Sequence, residues 1–290
     1  MNNFLTRALT GALFVIVMVG CIWWSWYTMA CLFLLIILLG LWEFYSLLKR
    51  KGNQPSMIYG TVLGLLIISW IFILSYGEAL FDFRIVTNCN IYLGISVFLL
   101  LYLLFFIELF RNSTTPFQNI ALTLMGVLYV VPPFALLQLL GTHTPTYEET
   151  ENGMNDFYSP NLILAFFILV WSNDTFAYLV GRAIGRTKLL ERISPKKTWE
   201  GTIGGFVFTI GTAYLISMYI KEISLLDWLI VGGITSVSAT LGDLVESMFK
   251  RSLDVKDSGS ILPGHGGILD RFDGVFLSAP FVCIYLLLIR

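Results

Sequence analysis

The feature that most constrains this chain is the recurrence of apolar runs long enough to cross a bilayer, which takes roughly 17–25 residues as a helix. Only 13% of the residues are charged and 57% are hydrophobic, whereas a soluble domain carries about a quarter charged residues. The pattern predicts an all-α, polytopic transmembrane bundle in one membrane domain. Its spans, about nine in number, lie near 8–26, 28–48, 57–76, 91–110, 118–140, 161–181, 202–220, 226–245 and 274–289.

The distribution of basic residues predicts the orientation of the bundle. If the N-terminus is cytoplasmic, all of the 18 lysines and arginines except Arg84, Lys221 and Arg290 lie on the inner side, as the positive-inside rule requires. The polar loops 182–201 and 246–273 then face the cytoplasm, and the acidic connection 141–160 lies outside. The first run is too long for the apolar core of a cleavable signal peptide, and four scattered cysteines indicate neither a zinc site nor a disulfide framework.

The second inner loop and the helix ends beside it carry a dense set of carboxylates. Asp243 and Glu246 share one face of the eighth span with Lys250, and Asp270 and Asp273 repeat the i, i+3 spacing where the ninth span begins. Such carboxylates suit magnesium, which prefers oxygen ligands. These acids could instead be solvated at helix ends. Their mixture with basic residues around a glycine-rich turn favours a functional site; those residues are Lys250, Arg251, Lys256 and Arg271.

The turn itself reads PGHGG at residues 263–267. Glycine tolerates positive φ and lets a ligand approach the backbone, so the N–H groups of Gly266 and Gly267 are candidates to receive a phosphate. His265 could be a catalytic base, but we expect it to order the turn or contact a phosphate.

The first inner loop contains RISPKKTWEGTIGG. Ser194 followed by Pro195 predicts a helix start, with Lys196, Lys197 and Thr198 in the first turn. The N-terminus of a helix binds anions, so the segment predicts a phosphate site. The alternative is a basic cluster that attracts anionic lipids in general. The sequence has no P-loop motif.

A carboxylate inside the sixth span is a further candidate. Asp174 lies in NDTFAYLVGR, and a charge at the middle of a membrane helix costs roughly 2.5–3.5 kcal/mol. It is either part of a functional interior or a structural partner of Arg182 or Lys197, and the sequence leaves both open. GxxxG spacing predicts close helix packing at the pairs Gly60/Gly64, Gly181/Gly185 and Gly201/Gly205.

Residues 247–273, SMFKRSLDVKDSGSILPGHGGILDRFD, resemble the signature of phosphatidate cytidylyltransferases, also called CDP-diacylglycerol synthases. The SPKKTWEG and NDTFAYLVGR segments are also similar to that family. The resemblance implies an enzyme of the bacterial inner membrane, with its site facing the cytoplasm, that condenses phosphatidic acid with CTP. It also implies magnesium bound by Asp243 and Asp270, a monovalent cation such as K⁺, and a homodimer.

The chemistry of this reaction agrees with the residues. A lipid phosphate is already anionic, so the reaction needs charge neutralisation and positioning rather than an activated Ser or Cys. We therefore predict three sets of site residues. The metal ligands are Asp243, Glu246, Asp270 and Asp273; the catalytic residues are Asp243, Asp270, Lys197, Lys250 and Arg271; the substrate and phosphate contacts are Ser194, Lys196, Lys197, Thr198, Lys250, Arg251, Lys256, His265, Gly266, Gly267 and Asp174.

Two other functions remain open at this stage. One is a CTP-dependent polyprenol or lipid kinase, which shares related cytoplasmic motifs. The other is an ion or solute transporter, which should carry ionisable residues in several spans near the midplane. Here they concentrate in the last third of the chain. The expected partners are CTP, phosphatidic acid and the bilayer, and no nucleic acid.

Overall fold

A computed structural model describes residues 3–142, 158–259 and 266–289. The described residues form nine α-helices and one two-stranded sheet. The helices are α1 (Asn3–Trp24), α2 (Trp26–Arg50), α3 (Met57–Leu80), α4 (Phe83–Phe110), α5 (Pro116–Leu140), α6 (Asn161–Ile184), α7 (Trp199–Tyr219), α8 (Leu225–Ser252) and α9 (Leu269–Ile289); the strands are β1 (Lys188–Leu190) and β2 (Ser194–Thr198).

The predicted class, a polytopic all-α membrane bundle, is confirmed. Helices α2 to α9 are each long and apolar enough to cross a membrane, and Leu9–Trp24 is a shorter apolar helical stretch. Long helices are the expected solution because lipid offers no partners for backbone N–H and C=O groups, so each segment must satisfy them internally.

Two of the short connections end in a serine whose side chain caps the next helix. Ser25 alone separates α1 from α2, and its Oγ accepts the N–H of Tyr27. Before α8, the Oγ of Ser224 accepts the N–H of Asp227 and donates to the Asp227 carboxylate at 2.6 Å. These bonds satisfy N–H groups that the first turn of a helix leaves unpaired.

The chain divides into two compact units. One contains residues 8–160, and the other contains residues 161–290 together with residues 1–7. In the first unit α3 packs on α5, α4 and α2, and a Cβ on Gly64 would lie 2.7 Å from Leu41. The GxxxG pair Gly60/Gly64 therefore marks close packing, as predicted.

In the second unit α6 packs on α7, α7 on α8, and α8 on α9. Gly201 of α7 faces α6 so closely that a Cβ would lie 2.7 Å from the carbonyl oxygen of Ala177 and 3.0 Å from the Cα of Gly181. A Cβ on Gly205 would lie 3.0 Å from the carbonyl oxygen of Asn173. The glycine pairs at 181/185 and 201/205 are thus packing positions, as predicted.

One expectation about a helix start was wrong. The segment SPKKT is strand β2, which pairs antiparallel with β1, and α7 begins at Trp199 with Thr198 as its N-cap. Ser194 and Pro195 therefore do not start a helix, and Lys196 and Lys197 do not lie in a first turn. Thr198 rather than Ser194 is the N-cap, because the Oγ of Thr198 accepts the N–H of Gly201 at 3.2 Å. Helix α8 ends at Ser252, beyond the expected end of the span at 245, and Asp243, Glu246 and Lys250 lie on this one helix, as predicted.

Candidate active site

Strand β2 brings Lys197 to the polar end of α8. Its Nζ lies 2.5 Å from Oδ2 of Asp243, and both side chains are partly exposed. Successive side chains of a strand point to opposite sides, and the neighbouring Lys196 is exposed. The hairpin therefore directs one lysine of the pair toward the acidic residues and leaves the other on the surface.

A second ion cluster joins α8 to the start of α9. The Nζ of Lys250 lies 2.6 Å from Glu246 and 2.6 Å from Asp270. Glu246 has no exposed surface, so the ammonium of Lys250 is its compensating charge. Breaking such a buried pair leaves a charge without solvent, which is costly.

Asp270 also accepts hydrogen bonds from residues that precede α9. Its Oδ2 accepts the N–H of Ser258 at 2.9 Å, the Oγ of Ser258 at 2.9 Å and the N–H of Gly267 at 3.0 Å. Gly266 has φ of 81°, and a Cβ there would lie 2.6 Å from the same oxygen. The glycines thus permit a close backbone approach, as predicted, but in this structure the group approached is Asp270.

Two further carboxylates lie near Asp243. Asp273 is within Coulomb range of Asp243, Asp174 and Glu246. Asp174 interacts electrostatically with Asp243, Lys197 and Arg271. Of the two partners considered for Asp174, Lys197 is among those that interact with it, and Arg182 donates a long hydrogen bond to Tyr178 at 3.5 Å.

A glycine allows the two acidic helix ends to meet. A Cβ on Gly242 would lie 2.6 Å from the carbonyl oxygen of Asp273 and 3.3 Å from the Cα of Gly274. Helices α8 and α9 are thus in backbone contact beside the residues that carry the charge. Asn173 ties α6 to the same region, because the Oγ of Ser236 donates to its Oδ1 at 2.6 Å.

The structure brings together part of the predicted set. Nine of the predicted residues lie in or beside the clusters around Lys197 and Lys250; they are Asp174, Lys197, Asp243, Glu246, Lys250, Gly267, Asp270, Arg271 and Asp273. Lys196, Arg251 and Lys256 are exposed, and Arg251 donates to the carbonyl of Val255. Ser194 lies in β2, Thr198 caps α7, and His265 lies outside the described residues.

Sequence reasoning missed two residues that build the site. Ser258 is buried and supplies two donors to Asp270, a role that nothing in its spacing indicates. Glu200 accepts the backbone N–H groups of Arg186 and Thr187 at 3.1 Å, which fixes the hairpin to the first turn of α7. A signal for Glu200 was present, because acidic residues are favoured in the first turn of a helix.

The donor set suits a hard divalent cation, since it consists of carboxylate oxygens. Among the described residues, no three Asp, Glu, His or Cys side chains converge with metal-binding geometry. A lysine ammonium lies against three of the carboxylates, Lys197 at Asp243 and Lys250 at Glu246 and Asp270. The chemistry of these donors fits magnesium.

In the second unit, lysines lie beside carboxylates at helix ends, and fixed cations of this kind suit the binding of phosphate groups. The profile of the Cytidylyltransferase family matches residues 5–289, and the chain belongs to that family. It is 34% identical over 88% of both chains to the phosphatidate cytidylyltransferase of Bacillus subtilis. It is 30% identical over 85% of both chains to that of Haemophilus influenzae, and 42% identical to that of Staphylococcus saprophyticus over 59% of this chain and 60% of the relative.

Proposed function

We propose that this integral membrane enzyme condenses phosphatidic acid with CTP to give CDP-diacylglycerol and pyrophosphate. The family match over residues 5–289 supports the reaction class, and the relatives are phosphatidate cytidylyltransferases. The observation that carries the proposal is the meeting of Lys197, from the first polar loop, with Asp243 of α8 at 2.5 Å. This contact links the SPKKTWEG segment to α8, the helix that leads into residues 247–273.

The reaction requires little covalent help from the protein. A phosphate oxygen of phosphatidic acid attacks the α-phosphorus of CTP, forming a new P–O bond. The bond from that phosphorus to the oxygen bridging to the β-phosphate breaks, and pyrophosphate leaves with the electron pair. Catalysis then consists of aligning two anions and stabilising the leaving group, which fixed cations do well.

The basic residues supply these contacts. Lys197 is accessible beside Asp243, and Arg271 lies on the first turn of α9 with its side chain exposed. We assign both to phosphate groups of the two substrates. Lys250 is held between Glu246 and Asp270, so it acts by keeping the two helix ends together. Lys196, Arg251, Lys256 and His265 stay predicted phosphate contacts.

The proposal includes magnesium, held by residues drawn from Asp243, Glu246, Asp270 and Asp273. When bound, it supplies positive charge to the phosphate oxygens of the nucleotide. A monovalent cation and a homodimer stay predictions from the family resemblance. We further propose that the enzyme lies in the bacterial inner membrane with this site on the cytoplasmic side, where CTP is available and the lipid phosphate lies at the interface.

Neither alternative function is favoured by the family match. A lipid kinase would transfer the γ-phosphate of CTP, and a transporter would transfer no phosphorus at all. The test therefore uses two labelled nucleotides with the purified protein and phosphatidic acid in detergent micelles.

With CTP labelled at the α-phosphorus, the label should enter the lipid product, and with CTP labelled at the γ-phosphorus it should appear in pyrophosphate. Label from the γ-position in the lipid would identify a kinase. The absence of label in the lipid from either nucleotide would contradict the proposal. Asp243→Asn, which removes the charge and keeps the shape, is the matched control and should show neither transfer.

A further inference from the structure

The carboxylates of the site outnumber the basic groups that contact them. Lys197 and Lys250 contact three of these carboxylates, and Arg271 interacts electrostatically with a fourth. The oxygen atoms of these side chains are the ligands that a hard divalent cation prefers. The carboxylates concerned are Asp174, Asp243, Glu246, Asp270 and Asp273.

The two lysines differ in how firmly they are held. Lys250 is 12% exposed and contacts two carboxylates, one of them the fully buried Glu246 on the same helix. Lys197 is 26% exposed, lies on a hairpin and contacts Asp243, which is itself 29% exposed. Moving Lys250 would leave a buried charge uncompensated. Moving Lys197 would expose both partners to solvent or to other ions.

We propose that Lys197 and a divalent cation are alternative partners of Asp243, so that binding of the cation releases the lysine to a substrate phosphate. This inference rests on the proposed function, which supplies the cation and the phosphate. The exchange keeps the Asp243 carboxylate paired at every stage. The ammonium of Lys197 also becomes available to a substrate phosphate only after the cation has bound, and the bound cation can then neutralise charge on the nucleotide.

The exchange has a consequence that a purely structural ion pair does not have. If the ammonium occupies the position that the cation needs, removing it should tighten metal binding even though a native contact is lost. If Lys197 merely holds Asp243 in place, its removal should weaken metal binding. The sign of the change therefore separates the two roles without any measurement of turnover.

The experiment measures Mn²⁺ binding to the whole detergent-solubilised protein, from the electron paramagnetic resonance signal of free Mn²⁺, with no nucleotide present. Lys197→Met should lower the Kd for Mn²⁺ by about tenfold, because one unit charge in direct contact is removed. Lys197→Arg keeps a cation beside Asp243 and should remain near wild type. Lys196→Met is the matched control, since this exposed neighbour lies on the same strand, and it should leave the Kd unchanged.

A general field effect is excluded by repeating the titration in about 0.5 M tetramethylammonium chloride, where charges are screened beyond a few ångströms. The difference between wild type and Lys197→Met should persist there. An unchanged or raised Kd for Lys197→Met, or an equal effect of Lys196→Met, would overturn the exchange while leaving a metal site in place. A wild-type protein that transfers the cytidylyl group without binding Mn²⁺ would overturn both the exchange and the assigned metal site, but not the reaction.

Discussion

The Nζ of Lys250 lies 2.6 Å from Oδ1 of Asp270, twenty residues further along the chain. The same ammonium lies 2.6 Å from Glu246, one turn back on α8. This single cation thus joins the end of α8 to the start of α9, and Asp270 in turn holds Ser258 and Gly267. The same residues therefore hold the two helices together and place charge in the site. Variants of a residue that acts through structure should lower stability, and variants of a residue that acts in the reaction should lower turnover.

Lys250→Met should destabilise the protein by about 3–5 kcal/mol, because it leaves the buried carboxylate of Glu246 without its counter-charge. The double variant Lys250→Met with Glu246→Gln should recover much of that loss. Stability is measured by heating in the presence of a thiol-reactive dye that reports exposure of the buried Cys283, after Cys21, Cys31 and Cys89 are replaced by serine. Equal unfolding temperatures for the single variant and wild type would contradict this role.

Asp243→Asn and Asp270→Asn should each abolish turnover, since each removes an anionic ligand and nearly keeps the side-chain shape. Their structural effects should differ. Asp270→Asn should cost about 1–3 kcal/mol, because donors from Lys250, Ser258 and Gly267 lose a charged acceptor, while Asp243→Asn should unfold near the wild-type temperature. Near wild-type activity of either variant at limiting magnesium would exclude that residue as a ligand.

Lys197→Gln should lower kcat at saturating CTP and phosphatidic acid by at least about 100-fold, on the order of 2.7 kcal/mol of barrier. Lys197→Arg should recover only a small part, because the broad guanidinium replaces a point charge poorly. Steady-state kinetics in neutral detergent micelles measure both. Full activity of the arginine variant, or a glutamine variant defective only in KM, would indicate a general basic patch. Lys196→Gln, on the exposed side of β2, is expected to lower kcat far less.

Gly242→Ala should lower activity although position 242 carries no functional group. The added Cβ would meet the carbonyl oxygen of Asp273 at 2.6 Å, so α8 and α9 must separate and the carboxylates of Asp243 and Asp273 move apart. Gly211→Ala on α7 is the matched control, because a Cβ there meets nothing within 4 Å. Equal activities of the two variants would show that this helix contact does not position the site.

The proposed orientation is tested with a cysteine reagent that does not cross membranes. A cysteine at Glu149, in the acidic connection outside the described residues, should be labelled in intact cells, and one at the exposed Asp257 should be labelled only after permeabilisation. Asp257 is preferred to its neighbour Ser258, which is buried against Asp270. Labelling of both positions from outside would contradict the orientation.

The sequence by itself determined the class of fold, because apolar runs of bilayer length leave a helix as the only way to satisfy the backbone. It also determined the family, through the segments around Lys197 and residues 247–273. The glycine spacings gave the packing of α6 on α7, since only small residues allow such close approach.

Only the tertiary structure decided how the charges are paired. Spacing along α8 grouped Asp243 with Glu246, yet Asp243 pairs with Lys197 of β2 while Glu246 pairs with Lys250. The strand in SPKKT could not be inferred, because Ser-Pro is also a common helix start and the competing cap, Thr198, lies four residues on. The role of Ser258 depends on a loop that brings it back to Asp270. Contacts between residues far apart in the chain are set by packing, and local patterns do not contain them.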